Sequence, residues 1–372
     1  MSQKLLLALL LFLFVPPMIA HAQWVSDPSM NNIICREGSN QNAPRIISDG
    51  AGGAIICWHD QRGAMSTFDI YAQRIDKDGF VRWTVNGNIV TQAWKSQSKP
   101  GMITDGAGGA IIAWTDTRDG NNDIYAQRID ANGNVLWTAD GVPVITDTTN
   151  DADPKVVSDG KHGIIVTWNT NSGGWPPASK IYAQRIDENG ALAWSDKVLV
   201  SGSLRFSNVP CITTDGNGGA YIAYAYYPRP EYDVYAQWID ANGVVQWQSK
   251  GLPIAAGSGD QDSPMLVADG AGNAFLGYFD WGSGSVSTLY LTVLKKTGPS
   301  STTRMTTTSG GQSGFQLSNI GTGLVGIAWE DGRGAKKQAY AQIIDTTGSK
   351  AWAANGVLVS NKAGDHIAPF VI

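Results

Sequence analysis

The octapeptide DIYAQRID stands unchanged at 69–76 and at 123–130, and it returns as KIYAQRID from Lys180, DVYAQWID from Asp233 and QAYAQIID from Gln338. Around it lies a unit of about 54 residues: P-x-I-x-x-D-G-x-G-G-A-x-I-x-W, a variable loop, then D-I-Y-A-Q-R-I-D-x-x-G-x-x-x-W-x-x-x-G-x-x-V. Six copies follow one another, at about 43–98, 99–152, 153–208, 209–262, 263–313 and 314–360. Asp49, Asp105, Asp159, Asp215 and Asp269 mark the first turn of five copies, and the sixth has NIGTG from Asn319 instead. A period of this size restricts the chain to a propeller or a solenoid.

Each unit holds four short apolar stretches and no helical period. The first is PRIIS at Pro44. The second, AIICW or AIIAW, is apolar on both alternating faces, as in a strand covered from both sides. The third alternates, with Tyr125, Gln127 and Ile129 on one face and Ile124, Ala126 and Arg128 on the other. NVLW at Asn134–Trp137 reads as the fourth. Glycines in DGAGG and in Asn132-Gly133 supply the positive φ of tight hairpin turns after strands one and three. Such a meander cannot bury both faces alone, so copies must pack on one another. The expected fold is all-β, a β-propeller of about six four-stranded antiparallel blades, which also hides most strand edges. An open β-solenoid would favour shorter, more uniform rungs. WVSDPSMNNII from Trp24 matches the tail of a unit and HIAPFVI from His366 the start of another. Either the end strands overlap in a six-blade ring, or the chain is a fragment of a seven- or eight-blade array.

At these residues the chain resembles a family of uncharacterised exported bacterial proteins built of DGxGGAIIAW…DIYAQRID repeats, many of which end in a sorting domain for type IX secretion. The resemblance implies a propeller in a secreted or surface setting and carries no catalytic residues with it. Independently, Met1–Lys4 gives a positive start, Leu5–Val15 an apolar run too short to span a bilayer, and Ala20–Ala22 a small-residue cleavage site. Residues 1–22 therefore read as a signal peptide and 23–372 as the repeat domain, with no membrane span. With 27 basic and 32 acidic residues, interspersed, the chain lacks the clustered basic surface of a nucleic-acid binder. Cys35, Cys57 and Cys211 are too few for a disulfide framework, and stability must rest on apolar burial; a Cys35–Cys57 pair is open.

Histidine is scarce, with His59, His162 and His366 after the signal peptide and no metal-pair spacing among them. Acidic residues recur with the repeat, as turn formers do, rather than as a paired acid and base. No cofactor is called for. DTRDGNND at Asp116–Asp123 offers calcium four hard oxygen donors, Asp116, Asp119, Asn121 and Asp123, and Asx-type turns account for the same residues equally well. Tight turns fill one rim, so the long loops lie on the other. In copies one, two and six the long loop opens W-x-D-x-R (Trp58–Arg62, Trp114–Arg118, Trp329–Arg333); copies three to five carry NTNSGGWPPASK, AYYPRPEY and FDWGSGS instead. The expected ligand-binding residues are Trp175, Tyr226, Tyr227, Tyr232 and Trp281, rigid aromatics that stack on sugars or anchor a protein at little entropic cost. The expected function is a binding or scaffold propeller for a glycan or surface protein. Its rivals are a carbohydrate-active enzyme, with carboxylates about 5–10 Å apart in a central cleft, and a purely structural module.

Overall fold

The computed structural model describes residues 31–63, 67–171, 179–202, 207–227, 230–308 and 310–359. The signal peptide, the unit-like stretches beyond Met30 and Val359, and Trp175 lie outside them. Six four-stranded antiparallel sheets follow in chain order. Blade 1 is β1 (Gln41–Ser48), β2 (Ala54–Asp60), β3 (Asp69–Ile75) and β4 (Asn88–Thr91). Blade 2 is β5 (Gln97–Thr104), β6 (Ala110–Asp116), β7 (Asp123–Ile129) and β8 (Val142–Ile145). Blade 3 is β9 (Asn150–Ser158), β10 (Ile164–Asn171), β11 (Ser179–Ile186) and β12 (Val198–Leu199). Blade 4 is β13 (Ser207–Thr214), β14 (Ala220–Tyr226), β15 (Asp233–Ile239) and β16 (Leu252–Ala255). Blade 5 is β17 (Gln261–Ala268), β18 (Ala274–Asp280), β19 (Thr288–Lys295) and β20 (Gly298–Arg304), and blade 6 is β21 (Gln312–Gly321), β22 (Leu324–Asp331), β23 (Gln338–Asp345) and β24 (Val357–Leu358). The fold is a β-propeller, as the repeat requires.

Successive blades meet face to face, and their first strands converge: β1 packs on β5, β5 on β9, β9 on β13, β13 on β17 and β17 on β21. Strand β6 is buried along its whole length because both its faces are covered. The alternation of β7 sorts as expected. Tyr125 and Ile129 join the core shared with blade 1, while Ile124 and Ala126 join the core shared with blade 3.

The repeated aspartate of the first turn organises the hairpin. One oxygen of Asp49 accepts the backbone N–H of Ala51 (2.8 Å) and of Gly53 (2.7 Å), and the other accepts Arg74 Nε (2.9 Å). A Cβ at Gly53 would stand 2.2 Å from the Ile75 carbonyl oxygen, so glycine suits the turn best, and blade 5 carries Asn273 at the equivalent position. The same arginine then crosses to the next blade and donates to the Ala131 carbonyl (3.1 Å), which also accepts Trp83 Nε1 (3.1 Å). Trp137, Trp194 and Trp247 make the equivalent bond to the carbonyls of Glu188, Ala241 and Lys296. A repeated tryptophan thus sutures each of these blades to its successor.

The fourth strand differs from the sequence expectation. NVLW is not a strand: Val135 forms a single bridge to Ile129. The chain then turns, with the Gly141 N–H bonded to the Thr138 carbonyl, and the strand proper follows at Val142–Ile145. The cause is the glutamine of YAQ. Buried Gln127 accepts the Trp137 backbone N–H (2.9 Å) and donates to the Thr138 carbonyl (2.8 Å), taking the backbone groups that a strand would have paired along β7. Gln73, Gln237 and Gln342 repeat the staple.

Between blades 6 and 1 the pattern weakens. Ile46 is 70% exposed where its repeat equivalent Met102 is 8% exposed, and Trp352 is 44% exposed where Trp83 and Trp137 are 9%. These apolar residues face away from their sequence neighbours, so among the described residues this seam is the least covered.

Candidate functional site

The long-loop rim divides as the sequence divides. In blades 1, 2 and 6 the W-x-D-x-R loops close on themselves. Trp114 Nε1 donates to buried Asp116 (2.8 Å), Arg118 pairs with the same carboxylate (2.6 Å) and donates to the Asp140 carbonyl (2.8 Å), and its guanidinium lies 3.8 Å from the centre of the Tyr125 ring. Trp58, Asp60, Arg62 and Tyr71 repeat this arrangement, as do Trp329, Asp331, Arg333 and Tyr340. Burial alone would raise the Asp60 and Asp331 carboxyls, but the arginine and indole hydrogen bonds and the arginine charge hold both below the usual carboxylate range. These residues fix the loop base and are spent on it.

In blades 4 and 5 the rim is aromatic. The rings of Tyr227 and Tyr232 pack with centroids 4.6 Å apart, tilted by 36°, and both are half-exposed. The linker between the two blades ties them to the next loop. The Tyr232 backbone N–H bonds to the Asp260 carboxylate (2.8 Å), and the Trp281 N–H to the Asp260 carbonyl (2.9 Å). The Trp281 indole donates to Asp262 (3.2 Å) and is likewise half-exposed. Tyr227, Tyr232 and Trp281 therefore share one sector of the rim. Tyr226, the last residue of β14, does not present its ring in the same way: it meets Tyr235 edge-on at 5.6 Å and packs against the core between blades 3 and 4. Strand alternation turns it inward.

A residue outside the repeat's own tryptophan positions was not anticipated. Trp94, in the linker from blade 1 to blade 2, is 67% exposed and flanks a cavity of about 360 Å³ lined also by Gly63, Thr67, Asp69, Gln92, Ala93 and Lys95. Its signal in the sequence is that no other copy has a tryptophan in that linker. Asp69 and Asp60 are cross-strand partners on β3 and β2. Burial, then the Asp60 charge, pushes the Asp69 carboxyl up to about 6. Asp123, opposite Asp116, is likewise pushed to about 6, by burial with the Asp119 and Asp151 charges working against its hydrogen bonds. Because the arrangement recurs in two blades, the carboxylate pairs belong to the repeat and not to one unique centre.

The calcium set disperses. Asp116 is committed to Arg118, Asp119 accepts the Tyr125 hydroxyl (3.2 Å), and the Asn121 amide donates to the Asp123 carboxylate and to the Asp147 and Thr149 carbonyls. Among the described residues no group of three or more His, Cys, Asp or Glu is placed to hold a metal. The three cysteines are free thiols; burial pushes Cys57 and Cys211 up to about 12. No helix among the described residues is long and apolar enough to cross a membrane.

No protein-family model and no curated protein matches the chain. Among solved structures it is similar to an ulvan lyase from a new family of polysaccharide lyases, bound to -[GlcA(1-4)Rha3S]-, at 10% identity and a TM-score of 0.50, covering 85% of this chain and 84% of that one. A protein of unknown function from Dyadobacter fermentans aligns at 12% identity and a TM-score of 0.47 over 84% of this chain and 96% of that one. A Penicillium chrysogenum α-L-arabinanase complexed with arabinobiose aligns at 12% and 0.41 over 82% and 93%. At such identities the likeness to the lyase concerns the fold.

Proposed function

We propose that this protein is a secreted or cell-surface β-propeller that binds a glycan through the aromatic sector of its long-loop rim, and that it belongs with the exported bacterial repeat proteins its sequence resembles. One observation carries the reading. The half-exposed Tyr232, with Tyr227 packed on its ring, and Trp281 from the adjacent blade both bond through their backbone N–H groups to a common linker residue, Asp260. Apolar ring faces held rigidly at a polar rim suit the C–H face of a sugar, and little rotamer entropy is lost on binding. A solved protein of this fold with a saccharide bound is consistent with that use. The rim rather than a catalytic pair is favoured because the carboxylates at the loop bases recur from blade to blade, whereas the aromatic sector occurs once among the described loops.

A glycan array followed by calorimetry on the best ligand tests the proposal. Tyr227→Ala and Trp281→Ala should each weaken binding about fivefold to tenfold, on the order of 1 kcal/mol per stacked ring, while Trp94→Ala leaves it unchanged. Equal affinity in wild type and both rim variants overturns the assignment.

A further inference from the structure

One position of the first strand, directly after the proline (Phe315 in blade 6), differs in every blade: Arg45, Gly101, Lys155, Cys211, Met265 and Gln316. The fold brings the first four of these positions together. Arg45 of β1 and Lys155 of β9 belong to blades that are not neighbours, yet both line one cavity of about 250 Å³ together with Gly101, Pro154, Cys211 and Ile212. Only strands converging on a common axis allow that.

The cavity holds two cations and no acidic side chain. Arg45 uses Nε on the Pro100 carbonyl (3.1 Å), and among the described residues its guanidinium has no carboxylate partner. Lys155 reaches no carboxylate within ion-pair distance among them either; its ammonium makes one long contact, 3.4 Å, to the Asp153 carbonyl. The one nearby acid, the Asp153 side chain, is taken by Lys99 at 2.9 Å. Burial, reinforced by the Arg45 and Lys99 charges, lowers the Lys155 pKa despite the opposing pull of Asp153. Lys155 is half-buried beside the exposed Arg45, and two like charges so placed repel one another unless a counter-charge joins them. The described polypeptide supplies none there.

We infer that the axial cavity is an oxoanion site, in which the Arg45 guanidinium and the Lys155 ammonium bind a sulfate, phosphate or carboxylate group from opposite sides. A guanidinium fork offers paired N–H donors to two anion oxygens, and the ammonium adds a point charge. The chemistry is the same whether the group is free in solution or carried on an acidic saccharide. The site is separate from the aromatic rim, and the assay with inorganic anion keeps the two readings apart.

The repeat itself supplies the control variants. Met265 and Gln316 occupy the equivalent positions of blades 5 and 6, so Lys155→Met and Arg45→Gln introduce side chains that this fold already accommodates. Calorimetric titration with sodium sulfate, against sodium chloride at matched ionic strength, should give saturable one-site binding to wild type. Either substitution should weaken it at least about tenfold, the loss expected for one charge-assisted contact, and the double substitution abolish it, with unchanged circular dichroism. Adding a sulfated disaccharide and its unsulfated form identifies the source. Tighter binding of the sulfated form than of sulfate assigns the group to a saccharide, and sulfate binding alone assigns a free anion; both support the site. Absence of saturable sulfate binding by wild type, or equal binding by wild type and a folded double variant, overturns it.

Discussion

Replacing Asp69 with asparagine should stabilise the protein at neutral and alkaline pH, against the usual expectation for changing a buried polar group. Asp69 is only 3% exposed and faces ionised Asp60 across the β2–β3 pair, and its carboxyl is pushed from 3.8 to about 6. A folded pKa above the unfolded one means that the native state binds more protons between about pH 4 and pH 6. Stability therefore rises as pH falls through that window and is lower above it. A shift of about two units, at 1.36 kcal/mol per unit, sets the cost of the ionised carboxylate above pH 7 at about 3 kcal/mol. The carboxamide of the variant keeps the size and an acceptor oxygen without the charge. Urea unfolding followed by tryptophan fluorescence at pH 8 should therefore show Asp69→Asn more stable by up to about 3 kcal/mol, with the advantage vanishing near pH 4. An advantage that does not depend on pH, or a variant less stable than wild type at pH 8, refutes the reasoning.

Asp116→Ala should be costly, because it strips the partner from Trp114 and Arg118 at once; a loss of about 3–5 kcal/mol is expected for orphaning a buried ion pair, read from the same urea titration. Removing the exposed Lys77–Asp78 pair by Asp78→Ala should leave the midpoint where it was. With an aromatic disulfide reagent at pH 8, Cys57 should stay unlabelled while the protein is folded, since it is fully buried and a thiol pushed to about 12 offers almost no thiolate. Rapid labelling of Cys57 in the native state contradicts its burial.

The repeat made the blade legible in unusual detail, because each landmark serves a purpose that recurs. The aspartate closes a turn, the following glycine clears a carbonyl, and the arginine and tryptophan bridge to the next blade. What remained hidden depended on tertiary contacts, within a blade or between blades. NVLW carries the composition of a strand, yet the buried glutamine ten residues before each tryptophan competes for its backbone. Tyr226 and Tyr227 are adjacent and chemically alike, but one closes a strand against the core and the other opens the loop. Trp94 lies in a linker whose direction is set by the blades on either side. The charges of Arg45 and Lys155 are plain in the sequence; their shared cavity is not, because a whole blade lies between them in the chain.

Strands β3 and β7 are the same seven residues, and their second-strand partners AIICWHD and AIIAWTD are nearly so. A hairpin from one blade can therefore satisfy every ladder bond by pairing with the wrong blade, or with the matching blade of another molecule. Local complementarity does not choose between these outcomes; the short linkers do, by keeping the correct neighbour at high effective concentration. Refolding at high protein concentration should shift that balance toward entangled, swapped oligomers, a hazard that grows as copies become more alike.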